Sequence, residues 1–541
     1  MGFAARAAQS EPPAPYVIPP SQEFDGNDGS WSTFKISVGT PGQDFRVLPS
    51  TKGGVTYVIA PEGCLADIDP VDCPNKRGVG VFDSSQSSGF DVGISTTWSA
   101  IGQYEVDLEE TLNYTAQGLF GFDRVSLGFA ADGTSLSLPH QVVAGIADLD
   151  YFMGVLPLGL PEASFSSLSQ SVDSLLYTLR NASKIPSLSY AYTAGARYRL
   201  KRVFGSLILG GYDSTRFQSH ADRVSFTFSS DPSKLLTVGV QSIMAMNTLR
   251  GAFSLTSSAH ISVLDSTIPH LWLPRAICDQ FEAAFGLTYD ATTDFYLVND
   301  SIHDRLLAKN PTVTIKLANS LKHTATQYTN IQLPYAAFDL QATYPHYQNA
   351  TNYFPIRRAA NTTQYALGRT LLQEAYLIVD YERANFTLAQ AIFPDPLPAA
   401  RIIAITPPTR SGSRKPGPST GTIAGIAIGS TALVALILAL TILYCKRRNR
   451  KRYAGTPVAE QYSTLHLASE VAHGKVQEIG GTPLVELGAP QHPKTVFSVT
   501  NMLHELHAAP NTPVAPQWQG VGFPVRTSAR YEMDGTGRAM L

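Results

Sequence analysis

Short apolar runs separated by clusters of turn residues fill most of the chain. Between residue 31 and about residue 400, runs of β-branched and aromatic residues alternate with clusters of Gly, Asn, Asp and Ser. Branched and aromatic side chains fit a pleated sheet, and small polar residues favour turns. The pattern therefore predicts an all-β domain, preceded by a polar lead at residues 1–30.

The pattern changes after residue 400. Residues 401–421 are rich in Pro, Gly and Ser, which is typical of an extended stalk. The 23 residues from Ile423 to Cys445 carry no charge, and a basic run follows at Lys446–Arg452. As a helix this stretch is about 34 Å long, and a hydrocarbon core is ~30 Å thick. We therefore predict one transmembrane helix at residues 422–445, with its basic end in the cytosol. A buried core helix, the alternative, would hardly be so long and so uniformly apolar.

Two further features belong to this region. Residues 446–541 lack sustained apolar periodicity and are predicted to be a disordered cytoplasmic tail. Gly421, Gly425 and Gly429 are spaced four apart, so a helix would place them on one face and permit close pairing in a homodimer. Glycine is also frequent in membrane helices generally, and this is the alternative explanation.

Glycosylation sequons lie on one side of the predicted membrane segment. All six precede it, at Asn113, Asn181, Asn299, Asn349, Asn361 and Asn385. The large domain is therefore expected outside the cytosol, at the cell surface or in a lumenal compartment, with the lipid bilayer as one partner. Residues 1–10 contain no apolar run long enough for a signal peptide, and we expect the natural chain to begin further upstream.

Composition excludes some classes of partner. The 541 residues carry a formal net charge of only -2, and 16% of them are charged, against a usual ~25%. The histidines show no metal-ligand spacing, and neither a phosphate-binding glycine loop nor a basic stripe is found. We expect no metal, no cofactor and no nucleic acid.

Two loops carry the chemistry. Phe45–Gly54 and Ile261–Thr267 each place a short polar loop after an apolar strand. They resemble the two catalytic loops of the pepsin-like aspartic peptidases. Further stretches resemble landmarks of that family, in family order: Val38–Phe45, Gly121–Val125, Phe152–Gly159, Phe204–Asp213, Leu271–Pro274, Leu367–Leu372 and Val379–Glu382.

The resemblance implies a bilobal fold and a specific defect. Residues 31–200 would form the N-lobe and residues 201–400 the C-lobe, each carrying one loop. In the family two carboxylates about 3 Å apart share one proton and activate water. Here Asp265 retains its carboxylate, whereas Ser50 stands at the other position and cannot act as a carboxylate base.

The remaining loop residues follow from the same resemblance. Thr51 and Ser266 occupy the positions whose hydroxyls tie the two loops together. Lys52 and Thr267 stand where the family has glycine, so both loops depart from the pattern. If the loops keep the family's conformation, the Lys52 ammonium lies close to Asp265 and holds it ionised.

Other elements are expected around this centre. The flap hairpin is predicted at Leu108–Leu127, with Tyr114 near its tip. Cys64 and Cys73 stand where the family has a disulfide, whereas Cys278 has no evident partner.

These features predict a catalytically impaired pseudopeptidase that binds extended peptides, most similar in architecture to the fungal membrane-anchored aspartic-peptidase homologues. The alternative is an active endopeptidase that processes surface or secreted proteins, with an unrecognised group replacing the first aspartate. A serine nucleophile activated by lysine, formed by Ser50 and Lys52, and a purely structural surface domain are further alternatives.

Overall fold

A computed structural model describes residues 13–129, 135–159, 162–165, 168–218, 224–256, 258–322, 327–408, 439–444 and 446–447. Residues up to 408 belong to one compact unit, and the short helical stretch at residues 439–444 and 446–447 belongs to a second.

The strands, in chain order, are β1 (Tyr16–Ile18), β2 (Pro20–Asp25), β3 (Trp31–Val38), β4 (Gln43–Ser50), β5 (Thr56–Ile59), β6 (Val81–Phe82), β7 (Ser85–Gln86), β8 (Ser99–Glu105), β9 (Gln117–Leu127), β10 (Leu136–Ile146), β11 (Gly154–Pro157), β12 (Glu162–Phe165), β13 (Leu168–Asp173), β14 (Ser189–Thr193), β15 (Ser206–Leu209), β16 (Gly211–Asp213), β17 (Val224–Thr227), β18 (Thr237–Thr248), β19 (Gly251–Ser254), β20 (His260–Leu264), β21 (Leu271–Pro274), β22 (Thr288–Asp290), β23 (Phe295–Leu297), β24 (Thr312–Ala318), β25 (Tyr328–Pro334), β26 (Leu340–Ala342), β27 (Thr351–Phe354), β28 (Ile356–Ala359), β29 (Ala366–Leu367), β30 (Ala375–Asp380), β31 (Asn385–Gln390) and β32 (Ile402–Ala404). The α-helices are α1 (Cys73–Lys76), α2 (Leu175–Asn181), α3 (Arg275–Phe285), α4 (Asp300–Lys309) and α5 (Arg369–Leu372).

Three larger sheets organise the compact unit. The N-lobe holds an eight-stranded sheet in the order β2-β3-β4-β11-β5-β10-β9-β8. The C-lobe holds the path β25-β24-β18-β20-β29-β21-β28, with β19 paired to β18. A six-stranded sheet, β1-β15-β14-β30-β31-β17, combines strands from both halves of the chain. The predicted all-β, pepsin-like architecture is confirmed by these sheets.

The first residues of the described chain differ from the predicted lead. Tyr16–Ile18 pairs antiparallel with β15, and Pro20–Asp25 pairs with β3. Ile18 is fully buried, because its strand completes the edge of the six-stranded sheet. The predicted polar lead at residues 1–30 therefore contains two strands of the folded unit, which its proline-rich composition concealed.

One amphipathic helix shows how local sequence sets the C-lobe. Helix α3 buries the apolar side chains Ile277, Cys278, Phe281, Ala284 and Phe285, which recur at helical spacing. The helix ends at Gly286, whose φ of 69° is left-handed and favours glycine. Each large apolar side chain buried in this way contributes about 1.5–3 kcal/mol relative to exposure.

A buried arginine fixes one wall of the N-lobe. The Arg77 guanidinium donates to five main-chain carbonyls, those of Gly63, Ala147, Asp148, Tyr151 and Phe152, at 2.7–2.9 Å. The side chain is fully buried, so these bonds compensate the loss of its hydration. They join the segment before Cys64 to residues 147–152, of which residues 149–152 line the cleft between the lobes.

The predicted stalk at residues 401–421 begins inside the folded unit, because Ile402–Ala404 pairs antiparallel with β16. The rest of the stalk and most of the predicted membrane helix and tail lie outside the described residues. Gly421, Gly425 and Gly429 also lie outside them. Within the part of the chain that the structure describes, no helix combines the length and apolarity needed to cross a bilayer.

Candidate active site

The two sequence loops end at equivalent places in the two lobes. Ser50 is the last residue of β4, which runs parallel to β11, and the Leu158 N–H donates to the Ser50 carbonyl at 2.8 Å. Asp265 follows β20, which runs parallel to β29, and its N–H donates to the Leu367 carbonyl at 3.1 Å. The parallel pairings fix both loops at the bottom of one cleft.

Reciprocal hydrogen bonds tie the loops together. The Thr51 N–H donates to Ser266 Oγ at 2.9 Å, and the Ser266 N–H donates to Thr51 Oγ1 at 3.1 Å. Each hydroxyl also donates to a carbonyl of the other loop, at Leu264 and Pro49 respectively. Both side chains are buried, so the arrangement is rigid. The structure therefore brings Thr51 and Ser266 together as the resemblance implied.

The Ser50 hydroxyl is fully engaged within the loops. Ser50 Oγ accepts from the Lys52 N–H at 3.1 Å, donates to the Lys52 carbonyl at 2.8 Å and lies 2.6 Å from Thr267 Oγ1. The Lys52 ammonium binds elsewhere. A nucleophilic pair of Ser50 and Lys52 is therefore not assembled in this geometry.

Lys52 fits the loop without left-handed backbone. The positive φ of the turn falls at Gly53, at 70°. Gly159 approaches this turn so closely that a Cβ there would lie 2.5 Å from the Gly53 carbonyl oxygen. The turn therefore keeps its glycine one residue beyond Lys52, and the long side chain of Lys52 is free to enter the cleft.

The centre of the site is an ammonium between two carboxyl groups. Lys52 Nζ lies 2.8 Å from Asp265 Oδ2 and 2.8 Å from Glu109 Oε2. Both carboxyl side chains are fully buried, and that of Lys52 is 23% exposed. The contact between Lys52 and Asp265 was expected from the sequence. Glu109 was not expected, and it places a second carboxyl beside Asp265.

The charges of this cluster follow from burial and contact. Burial alone would raise the pKa of Asp265, but the Lys52 ammonium and hydrogen bonds from Lys52, Glu109 and the Thr267 N–H hold that pKa below its ordinary value. Burial and the charge of Asp265 raise the pKa of Glu109 well above its ordinary value, although Lys52 opposes this. Burial would lower the pKa of Lys52, and the two carboxyl groups raise it instead. Of the two carboxyl groups, Asp265 is therefore the more acidic and Glu109 the more readily protonated, and the Lys52 ammonium contacts both.

Glu109 reaches the centre from the segment that joins β8 to β9. These strands form the flap hairpin, and the connection at residues 106–116 contains a 3₁₀ turn at Glu110–Leu112. The predicted hairpin start at Leu108 is wrong, because the first arm is Ser99–Glu105. That arm is a mostly exposed edge strand with a central Gly102, so its apolar pattern is weak.

The connection is bound across the cleft to the C-lobe. Gln364 Nε2 donates to the Thr111 carbonyl at 2.8 Å. The Leu112 side chain is buried in a cluster with C-lobe residues, which are Ile268, Trp272, Ala359 and Ala366. The Glu109 N–H donates to the Tyr151 hydroxyl at 3.0 Å. Tyr114 lies just beyond, edge-on to the Tyr151 ring at 5.8 Å between centroids.

Cavities lie on both sides of this connection. The larger has a volume of about 790 Å³ and is lined by residues of both lobes, including Leu48, Tyr114, Phe152 and Trp272. The smaller has a volume of about 350 Å³ and is lined by Lys52, Gly53 and other residues. Leu112 lines both cavities, so the connection divides a longer groove.

Comparison with known proteins assigns the family. The family model described as eukaryotic aspartyl protease matches residues 33–391, more than half of the chain. The chain belongs to the eukaryotic aspartyl protease family. It is 22% identical over 365 residues to secreted aspartic protease 8 of Candida albicans, covering 67% of this chain and 76% of that protein. It is 23% identical over 385 residues to aspartic proteinase yapsin-3 of Saccharomyces cerevisiae, covering 68% of this chain and 67% of that protein.

The three cysteines that the structure describes in this aspartyl protease family member occupy two environments. Cys64 and Cys73 form the predicted disulfide, which is confirmed with an S–S distance of 2.01 Å. Cys278 is a buried free thiol, and burial raises its pKa to about 12. The thiol is therefore protonated and apolar in character, as part of the α3 core.

The sequons lie at the surface with one exception. Five of the asparagines are exposed: Asn113, Asn181, Asn299, Asn349 and Asn361. Asn385 is partly buried at the start of β31 in the six-stranded sheet. Asn113 lines the larger cavity, so a glycan there would stand at its mouth.

Proposed function

We propose that this family member is a catalytically impaired, membrane-anchored aspartic-peptidase-like protein that binds extended peptides at the cell surface or in the secretory pathway. The observation that carries the proposal is the ammonium of Lys52 between Asp265 and Glu109, with Ser50 in place of a carboxylate. The family chemistry needs a carboxylate that activates water beside its protonated partner. Here the ammonium contacts the only carboxylate that the two loops retain.

The cleft supports the binding part of the proposal. Its two cavities continue one another along the boundary between the lobes, and its walls combine aromatic side chains with arginine and histidine. An extended peptide binds such a groove through main-chain pairing and side-chain pockets without being cut.

The sequence supports the anchoring part of the proposal. The 23 uncharged residues from Ile423 to Cys445 and the basic run after them have the length and polarity of one membrane span. The six sequons precede this segment, which favours a large domain outside the cytosol and a tail inside. Pairing of two chains through Gly421, Gly425 and Gly429 is part of the same proposal.

The second candidate function is an active endopeptidase, and Glu109 is the observation that favours it. The raised pKa of Glu109 beside the lowered pKa of Asp265 gives two neighbouring carboxyl groups of unequal acidity, both in contact with Lys52. This arrangement resembles the chemistry of the family, although it uses a residue from the flap connection. It would require Lys52 to leave the space between the two groups.

One cleavage experiment separates the two functions. The purified full-length protein in detergent is incubated with a quenched fluorogenic peptide library from about pH 2.5 to 7. Variants Asp265→Asn, Glu109→Gln and the repair variant Ser50→Asp/Lys52→Gly are measured in parallel. We expect no turnover by the natural protein, and a gain on repair would show that the cleft is otherwise intact. Turnover that disappears in both Asp265→Asn and Glu109→Gln would establish the endopeptidase instead.

A direct binding measurement completes the test. Fluorescein-labelled random octapeptides are titrated with the protein, and polarisation is recorded at neutral pH. Binding without cleavage is the expected result. If the protein neither binds nor cleaves the peptides, a purely structural domain is the remaining explanation and the proposal is wrong.

A further inference from the structure

The larger cavity is lined by charged side chains of both signs. Four arginines line it, namely Arg275, Arg357, Arg358 and Arg369, together with three carboxylates, namely Asp28, Asp150 and Asp294. Each carboxylate already accepts a hydrogen bond. Their donors are the Trp31 indole N–H, the Thr115 N–H and the Tyr289 hydroxyl respectively. The positive charge available in the cavity therefore depends on which arginines have carboxylate partners.

Two of these arginines have carboxylate partners. Arg358 pairs with Glu282 at 3.3 Å and with Asp279 at 3.6 Å. Arg369 pairs with Asp28 at 3.6 Å and donates to the Ser266 and Thr267 carbonyls. Within the described ranges, ion pairs are found for these two residues and not for Arg275 or Arg357.

Arg357 is the less exposed of the two arginines for which no ion pair is found. Its guanidinium carbon lies 4.5 Å from the centroid of the Phe295 ring and 5.5 Å from that of Trp272. The side chain is partly buried, and its Nε is buried without a hydrogen-bond partner. A guanidinium beside two aromatic rings is held in position, and its buried Nε–H lacks an acceptor.

The neighbours of Arg357 also lack partners. The indole N–H of Trp272 and both ring nitrogens of His270 are buried without hydrogen bonds. Burial, together with the nearby positive charge of Arg357, holds the pKa of His270 well below its ordinary value, so the ring is neutral. The Arg357 guanidinium therefore lies near two neutral rings, those of His270 and Trp272. Arg275 stands exposed at the start of α3 on the same cavity.

We propose that the wall of the larger cavity formed by Arg357, Trp272 and His270 is a subsite for an acidic side chain. The cleft would then select peptides carrying glutamate or aspartate at the position that reaches Arg357. The carboxylate accepts charge-assisted hydrogen bonds from the Arg357 guanidinium, and Arg275 attracts it at the cavity mouth. The inference rests on the proposed peptide binding and adds the chemical class of the ligand. Because Phe295 and Trp272 already hold the guanidinium, little conformational entropy is lost on binding.

The test compares two matched peptide pools. Both are capped, fluorescein-labelled random octapeptides, one with glutamate and one with glutamine fixed at each position in turn. Dissociation constants are measured by polarisation with the full-length protein at neutral pH and moderate salt. We expect the glutamate pool to bind roughly tenfold more tightly at one or two neighbouring positions, as one charge-assisted contact implies.

Substitutions test whether the preference for glutamate depends on Arg357. Arg357→Gln is expected to abolish the difference between the pools, and Arg357→Lys, which keeps the charge and much of the stem, is expected to retain part of it. Arg250→Gln removes an exposed arginine between β18 and β19, outside the cavity, and serves as the matched control. Melting temperatures of all variants show whether each one folds.

The outcomes are distinct. Equal binding of the two pools, or a preference that survives in Arg357→Gln, would overturn the acidic subsite and leave peptide binding in place. Binding of neither pool to any folded variant would overturn the proposed peptide binding and the subsite together.

Discussion

The loss of hydration on burial is compensated by charge contacts at three residues of the site, Lys52, Glu109 and Asp265. A buried carboxylate loses its hydration, and only a close cation or several hydrogen bonds compensate that loss. Lys52 supplies the cation to Asp265, and the raised pKa of Glu109 favours its neutral form, which needs no second cation. Burial therefore favours one ion pair, Lys52 with Asp265, over two carboxylates around one ammonium.

Lys52→Ala is expected to destabilise the protein by about 3–5 kcal/mol, because it leaves Asp265 buried without its cation. Adding Asp265→Asn should recover a large part of that loss, since the amide carries no charge. Denaturant unfolding of both variants and of the natural protein measures this. The control is Lys76→Ala, which removes an exposed pair with Asp72 and should cost at most about 1 kcal/mol. Additive losses in the double variant would contradict the expected coupling.

Glu109→Gln is expected to change how stability depends on pH. The pKa of folded Glu109 is raised above its ordinary value of 4.5, so the folded state holds this proton at pH values where the unfolded chain releases it. Stability therefore falls as pH rises above about 4.5, until the folded carboxyl also ionises. Glutamine cannot ionise, so the variant should gain stability relative to the natural protein across that window.

Thermal unfolding of the two proteins at several pH values checks this. Glu110→Gln is the matched control, because Glu110 is the adjacent, exposed carboxylate of the same connection. A difference between Glu109→Gln and the natural protein that stays constant with pH would show that the pKa of Glu109 is not raised in the fold.

The sequence predicts only part of this centre. Ser50, Lys52 and Asp265 lie in two motifs whose geometry the family resemblance supplies, so their grouping is visible in the chain. Glu109 lies 57 positions from Lys52, outside either motif, and its place depends on how the flap connection folds across the cleft. The sequence does not predict the setting of Arg357 either, because its surroundings come from residues distant in the sequence.

At the scale of elements, the connection at residues 106–116 decides access to the cleft. Leu112 is buried among C-lobe side chains, and the Gln364–Thr111 hydrogen bond holds the adjacent main chain. Both contacts join the connection to the C-lobe, so opening the connection would expose apolar surface and move Glu109 away from Lys52. Apolar patterning predicts strands well, but an exposed edge strand such as β8 and a strand rich in polar residues such as β2 have little pattern to find.

Leu112→Ala is expected to loosen the connection. Truncating a buried leucine costs at least about 2 kcal/mol, and here the loss falls on the closed form of the connection. Amide hydrogen exchange of residues 106–116 should therefore become roughly tenfold faster or more, while β3 and β30 keep their protection. The control is Val71→Ala, since Val71 is fully exposed. Unchanged exchange in Leu112→Ala would show that Leu112 does not hold the connection closed.

At the scale of the whole molecule, the fold and the proposed membrane anchoring rest on separate observations. The bilobal fold follows from strands, sheet order and the family match. Anchoring rests on the uncharged stretch and the sequons, and the folded unit does not depend on it. The proposed function joins the two, because a peptide-binding cleft outside the cytosol and a tail inside it would lie on opposite sides of one helix.

Membrane insertion is expected to depend on apolarity in the middle of residues 422–445. The double variant Leu433→Arg/Val434→Arg places two charges there, each of which costs about 2.5–3.5 kcal/mol at the centre of a membrane helix. The natural chain should stay with membranes after alkaline carbonate extraction, and the variant should be released. Leu433→Ile/Val434→Leu keeps the segment apolar and should behave as the natural chain does. Extraction of the natural chain would contradict anchoring by this segment, whereas retention of the arginine variant would show that another part of the chain holds it at the membrane.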